Sequence, residues 1–411
     1  MASLGAVKRV LSYRNAQIYY AGSLLSWTGM WMQRVAVGWL AWELTASAFW
    51  VGALAFSNLI PSVIVSPIAG AAADRADRVR LTMITQNIAC LHGAVLAALV
   101  LLDAVRIEII LVLEVVLGIT QAFAQPVRQS IVPGIVPRAD LPGAVALNSI
   151  TFNVARFLGP ALAGPLIAAW GSAPPMLANS LSYLIASLTM PLLTLAPEYR
   201  RGHAPTGSIW RETVEGFSYV ARHVGIGGLF LYAALLACMV RAVPEMLPPF
   251  VDVLFHRGAR GLALLTGVMG VAALAGGLAI AARTSLRGQT EWAVHSGLIM
   301  VLGTAGFVAT NSFTVALVAI SVIGAATTAH GISIQSLTQY ASTPSMIGRV
   351  LSVWGLIVRA FPALGALFFG ALSELFGLRV PVLAAAVVAV LIWVWAFRNR
   401  RRFAHAIEPK E

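Results

Sequence analysis

Charge is scarce in this sequence. Asp, Glu, Lys and Arg make up 11% of its 411 residues, against about 25% in an average globular chain. With 59% apolar residues and a mean hydropathy of +0.82, it has too little polar surface to cover a water-soluble fold of this length. Its apolar content is also far above what keeps a chain disordered. Cysteine is scarcer still. Cys90 and Cys238 each sit in an apolar run, which excludes a disulfide scaffold. There is no G-x-x-x-x-G-K-[ST] loop for a nucleotide and no Cys/His cluster for a metal. No cofactor, metal or catalytic residue is expected, and the chain is not read as an enzyme. Acidic residues are the minority charge, 16 against 28 Lys and Arg, for a net charge of +12. In a soluble protein that surplus would point to nucleic acid. In a membrane protein the same surplus collects in cytoplasmic loops, and nucleic acid is not expected as a partner.

Long apolar runs are what the sequence has in abundance. Twelve reach the length of about 20 residues that crosses a bilayer core: 16–41, 50–73, 81–102, 107–130, 143–169, 174–196, 225–250, 261–282, 292–310, 312–338, 348–374 and 380–397. In lipid each run must satisfy its own backbone hydrogen bonds, so each is expected to be a helix. The long polar connection is 197–222, containing Pro197, Arg200, Arg201, Pro205 and Gly207. Its last part, Ser208 to Arg222, is amphipathic and is expected to lie along the membrane surface. With a cytoplasmic N-terminus, 20 Lys and Arg fall on the inside and 4 on the outside, leaving Arg34, Arg156, Arg241 and Arg359 within spans. That bias places both termini in the cytoplasm. The first run has no small-residue cleavage site and is read as a retained helix.

A shift of 206 positions brings out an internal repeat. Gln129-Ser130-Ile131 falls on Gln335-Ser336-Leu337, Gly159 on Gly365, Gly164 on Gly370, Trp170-Gly171 on Phe376-Gly377 and Gly70 on Gly276. The expected organisation is a six-helix half over 1–196, a cytoplasmic linker over 197–222 and a second half with a basic tail over 223–411. Parallel repeats of this kind are a recurring transporter plan, with a substrate site between the halves near the midplane.

The segment Gly70-Ala71-Ala72-Ala73-Asp74-Arg75-Ala76-Asp77-Arg78-Val79-Arg80 resembles the loop signature G-x-x-x-D-R-x-x-R-(K/R) of the major facilitator superfamily, with the last base displaced by Val79. The resemblance covers essentially the whole chain. It implies an all-α membrane fold of two pseudo-symmetric six-helix bundles. Gly70, Asp74, Arg75 and Arg78 would form a gating latch, with Gly70 permitting close helix contact and Asp74 accepting from a helix N-terminus. Trp31-Met32-Gln33-Arg34-Val35-Ala36, Ala124-Gln125-Pro126-Val127-Arg128-Gln129-Ser130 and Ala155-Arg156-Phe157-Leu158-Gly159-Pro160 resemble the bacterial exporter branch that includes the enterobactin exporter. That branch implies efflux of siderophores, drugs or other amphipathic metabolites from the inner membrane, driven by proton entry. Gly159-Pro160-Ala161-Leu162-Ala163-Gly164 is similar to the antiporter signature G-P-x-x-G-G, with Ala163 in place of a glycine. Pro160 is expected to bend its helix beside Arg156.

Charges within spans are costly and are functional candidates by default. Arg34 and Glu114 stand about seven residues from the outer ends of helices that the resemblance places around the cavity, and could pair across it. Arg241 and Glu245 are spaced i, i+4, one face of a helix, with Pro244, Pro248 and Pro249 breaking that helix nearby. Two readings stay open: Glu114 or Glu245 carries a proton, or both pairs close an outer gate. Arg156 and Arg359 read as packing residues at bends, and His330 as a satisfied polar residue. Gln33, Gln121, Gln125 and Asn148 are expected to line a wet cavity. Four arginines against two glutamates favour a neutral or anionic amphipathic substrate.

The resulting expectation is a monomeric secondary transporter that exports a small molecule by alternating access, with protons and membrane lipid as its other partners. An importer or lysolipid flippase of the same fold is one alternative. A non-transporting membrane sensor or an intramembrane enzyme is the alternative of another class.

Overall fold

The computed structural model describes residues 4–195, 209–282, 285–343 and 346–409. Their regular elements are helices. They run α1 (Leu4–Val10), α2 (Arg14–Thr45), α3 (Ala48–Arg75), α4 (Arg78–Leu101), α5 (Ile107–Ile131), α6 (Leu141–Trp170) and α7 (Ala173–Thr189). After the connection come α8 (Ile209–Arg222), α9 (Val224–Met239), α10 (Gly258–Ala281), α11 (Gln289–Ala309), α12 (Phe313–Ala341), α13 (Ile347–Phe376) and α14 (Arg379–Ile407).

Each of the twelve apolar runs falls on one of these helices. Among the described residues, ten helical segments are long and apolar enough to cross a membrane. The other two runs fall on α2, which carries Arg34 and Glu43, and on α7, which has 17 residues and passes into a 3₁₀ turn, Met190–Leu192. One run differs from the continuous helix expected of it. The helix over 225–250 ends at Met239 and continues as a turn, a 3₁₀ segment Val243–Met246 and a π segment Phe250–Leu254. Pro244, Pro248 and Pro249 each lack an amide hydrogen, so a regular ladder cannot pass through them. The 70–80 segment is also less of a loop than its motif suggests. α3 runs through Arg75 and α4 starts at Arg78, so only Ala76 and Asp77 lie outside helix.

The chain divides into two compact units. Unit 1 comprises Met1–Leu44, Pro61–Thr206 and Ala259–Ala263; unit 2 comprises Thr45–Ile60, Gly207–Gly258 and Leu264–Glu411. In unit 1, Val10, Tyr19, Tyr20, Val79, Val127, Ile131, Leu147 and Met190 form an apolar cluster where α1, α2, α4, α5, α6 and the 3₁₀ turn after α7 converge. Polar bonds tie the rim of that cluster. Arg9 Nε donates to Asp140 Oδ1 at 3.2 Å, Tyr13 Oη to Asp140 Oδ2 at 2.8 Å, and Asn15 Nδ2 to the Thr194 carbonyl at 2.8 Å. The bond to Asp140 pushes the Tyr13 phenol above its ordinary pKa, because it stabilises the protonated hydroxyl.

In unit 2, Ile226, Leu229, Phe230, Ile334, Leu337, Val353, Trp354 and Phe403 form the corresponding cluster. Helix α8 packs there through Val220, and Arg349 Nη1 donates to Glu215 Oε2 at 2.7 Å. The Glu408 carboxylate accepts from Gly288 N at 2.9 Å and Thr290 N at 2.8 Å, which satisfies two free amides at the start of α11. Pro197, Arg200, Arg201, Pro205, Gly207 and Arg283 lie outside the described residues.

Two glycines 206 positions apart end their helices in similar backbone conformations. Gly171 closes α6 at φ 75° and Gly377 closes α13 at φ 72°, a backbone region that a side chain disfavours.

Candidate functional site

A buried polar group in unit 1 is assembled from four helices. Gln33 comes from α2, His92 from α4, Glu114 from α5 and Asn179 from α7, with 3%, 3%, 6% and 2% of their surfaces exposed. Asn179 Nδ2 donates to Gln33 Oε1 at 2.7 Å. Gln33 Nε2 lies 3.0 Å from His92 Nδ1. On the other side of the imidazole, His92 Nε2 lies 3.6 Å from Glu114 Oε1. Small residues let the helices meet this closely. A Cβ on Gly29 of α2 would stand 2.9 Å from the Asn179 Cα.

A second set surrounds two tryptophans. The Trp31 ring has the Arg34 guanidinium at 5.3 Å and the Arg156 guanidinium at 5.5 Å from its centroid. Phe152 meets Trp31 and Trp27 edge-on, at 6.0 and 5.5 Å. Arg128 lies 6.0 Å over Trp27 and donates through Nη2 to Gln121 Oε1 at 2.8 Å; Gln121 Nε2 donates to Tyr183 Oη at 3.3 Å. Cations over indole faces are favourable, the more so where water is excluded. Arg34 is exposed, whereas Arg156, Gln121 and Gln125 are half-buried.

The expected site residues of unit 1 thus fall into two neighbourhoods. Gln33 and Glu114 join the buried chain, and Arg34, Arg156 and Gln121 join the aromatic set. His92 and Asn179 were not singled out from the sequence. The available signal was His92 itself: an ionisable side chain in the middle of an apolar run merits the same default as an intramembrane Arg or Glu.

The expected bend falls in α6, which runs from Leu141 to Trp170. Pro160 and Pro165 lie inside the helix. A Cβ on Gly159 would stand 2.8 Å from the Thr28 carbonyl and 3.0 Å from Met32 N, and one on Gly164 would stand 3.3 Å from the Ala259 carbonyl.

In unit 2, Arg241 lies in the turn after α9 and Glu245 in the 3₁₀ segment, both half-buried. Their i, i+4 spacing therefore does not place them on the face of one α-helix. His330 of α12 is 1% exposed and donates through Nδ1 to the Ala293 carbonyl at 2.8 Å, while its Nε2 is buried with no hydrogen-bond partner. It is only half satisfied.

At the junction of α3 and α4, Asp77 is the N-cap of α4 and accepts from Arg80 N at 3.1 Å. Arg78 Nη1 donates to the Ser130 carbonyl of α5 at 3.1 Å. The side chains of Gly70, Asp74 and Arg75 lie outside the described residues. Among the described residues, no three His, Cys, Asp or Glu are grouped to hold a metal ion.

A family profile described as transmembrane secretion effector matches residues 11–409. Similar proteins include the staphyloferrin A transporter of Staphylococcus aureus, 28% identical over 242 residues, an alignment spanning 58% of this chain and 59% of that one. The enterobactin exporter of Salmonella typhimurium is 27% identical over 356 residues, spanning 84% of this chain and 80% of that one. Among solved structures, a bacterial homolog of the human lysosomal transporter Spinster, inward-facing and unoccupied, superposes with a TM-score of 0.75 at 17% identity over 100% of both chains.

Proposed function

The chain belongs to the major facilitator superfamily, in its family of transmembrane secretion effectors, and from that premise we propose that it exports amphipathic small molecules across the bacterial inner membrane by alternating access, in exchange for protons. It is a multi-pass transporter and not an enzyme. The observation that carries the export reading is the match of a secretion family along 11–409, nearly the whole chain. The twelve-helix topology with both termini in the cytoplasm is part of the same proposal, supported by the coincidence of every apolar run with a helix and by the 20-to-4 distribution of Lys and Arg. A siderophore, drug or related metabolite is the proposed cargo, and the protein is proposed to work as a monomer.

Proton coupling is supported by Glu114. It is a carboxyl group only 6% exposed in the interior of unit 1, where burial and neighbouring charges act on protonation most strongly. A neutral or anionic cargo is supported by Arg34 and Arg156 at one indole and by the surplus of arginine within the spans. Arg78, bonded to α5, supports a gating role for the 70–80 segment. Direction is tested in cells. Deleting the gene should raise the retained amount of its cargo, and overproduction should lower it. The reverse pattern would mean import.

A further inference from the structure

The four buried residues of unit 1 carry more information than their burial. Asn179 Nδ2 donates to Gln33 Oε1. With its oxygen committed to Asn179, the Gln33 amide presents its NH₂ to His92, so the 3.0 Å contact is a donation from Gln33 Nε2 to His92 Nδ1. An accepting Nδ1 carries no proton, and the hydrogen of the neutral imidazole must then sit on Nε2. That nitrogen is buried, has no hydrogen-bond partner, and faces Glu114 Oε1 at 3.6 Å. This is a charge contact just beyond hydrogen-bond reach. A relative shift of about 0.7 Å between α4 and α5 would bring it to the length of a charge-assisted bond.

Four helices bring groups to the neighbourhood of His92. α5 supplies Glu114, the titratable partner. α2 and α7 supply the amides of Gln33 and Asn179. On α4 itself, Cys90 lies two residues away with its sulfur 3.3 Å from Ser180 Oγ of α7. A proton entering this cluster has two candidate seats. Placing it on His92 Nδ1 would oppose the Gln33 donor and leave a buried cation facing an amide NH₂, a costly arrangement. Placing it on Glu114 removes a buried charge and leaves the Asn179–Gln33–His92 hydrogen bonds intact.

We propose that His92 is the positioning residue of a proton-carrying Glu114: the Asn179–Gln33 amide chain fixes its tautomer, its Nε2–H is aimed at the carboxyl group, and the exchanged proton is thereby confined to Glu114. The proposal rests on the reading of the chain as a proton-coupled exporter. With Glu114 ionised, the Nε2–H approaches and stabilises the carboxylate. With Glu114 protonated, the contact relaxes. The α4–α5 distance thus reports the protonation state to the rest of unit 1. The proton is taken from water and returned to water, and no other bond is made or broken.

Two equilibrium measurements on the purified full-length protein test this without any cargo, so a failure of the export reading leaves them readable. First, nitrogen NMR of isotope-labelled histidine, with His92 assigned by its loss in His92→Asn, should show His92 neutral with its proton on Nε2 between about pH 5 and 8. Gln33→Leu should give a mixture of tautomers. A proton on Nδ1, or an imidazolium in that range, would overturn the proposal. Second, infrared titration should show a carboxyl band that is absent in Glu114→Gln. In His92→Leu, which lacks the donor, its midpoint should rise by about one pH unit, roughly tenfold in proton affinity. His92→Gln, which restores an N–H, should bring most of it back. An unmoved midpoint contradicts the assignment. If His92→Leu does not fold, the tautomer measurement on the wild type and on Gln33→Leu decides alone.

Discussion

Gly159 and Gly365, related by the 206-residue repeat, do the same work at the two ends of that relation. A Cβ on Gly159 would meet the Thr28 carbonyl at 2.8 Å, and one on Gly365 would meet the Cys238 backbone at 3.0 Å and Ala242 Cβ at 2.9 Å. Backbone cannot swing aside as a side-chain tip can. Gly159→Ala is therefore expected to destabilise unit 1 by about 1–3 kcal/mol, the range for overpacked sites, read as a lower melting temperature of the purified protein. Glu114 calls for a functional prediction. Glu114→Gln, which removes the ionisable group with little change of shape, should abolish gradient-driven accumulation while cargo exchange across the membrane persists. Loss of both would mean that Glu114 serves binding or folding. Glu114 stood out in the sequence as a charge alone in an apolar run, and Gln33 as the neighbour of the intramembrane Arg34. The chain that joins them was not legible. His92 and Asn179 are 87 residues apart in sequence and meet through the packing of α4 and α7 on α2, which no fixed spacing records.

Elements were legible where periodicity and length spoke together, and less so at their ends. All twelve apolar runs became helices, but the seventh stops at Met239 because three prolines in six residues deny it a ladder. The consequence reaches the site. Arg241 and Glu245 lost the helical face that their spacing implied, and Arg241 sits in a turn instead. The 70–80 motif was recognisable, but its division between the end of α3, a two-residue link and a cap at Asp77 was not, since Asp74 and Asp77 are both plausible caps in sequence. Helix ends also supply a stability test. Glu408 satisfies two amides at the start of α11 from 118 or more residues away. Glu408→Ala should cost about 1 kcal/mol, as for loss of other helix caps, measured as a small fall in melting temperature. An unchanged value would mean that water replaces the carboxylate.

At the scale of the molecule, the charge distribution makes the sharpest statement. A chain with so few charges places most of its basic residues on one side of the expected spans, and the proposed orientation rests on that asymmetry. Arg402 lies in the basic tail and is exposed. A cysteine introduced as Arg402→Cys should react with a membrane-impermeant maleimide in inverted vesicles and be protected in intact cells. The opposite pattern would reverse the topology. The internal repeat was legible because it recurs at positions where only glycine serves, such as Gly171 and Gly377. Nothing local in the sequence marks 45–60 as part of unit 2 or 259–263 as part of unit 1. In the proposed mechanism, a proton held at Glu114 drives outward movement of a neutral or anionic amphipath. Its most direct test is uptake into inverted membrane vesicles containing the protein, across a panel of siderophores, anionic amphipaths and lipophilic cations, with and without an acidic lumen. Proton exchange at Glu114 predicts accumulation of a siderophore or anionic amphipath that requires the acidic lumen and collapses when a protonophore is added. Accumulation indifferent to the gradient, or confined to lipophilic cations, would contradict it.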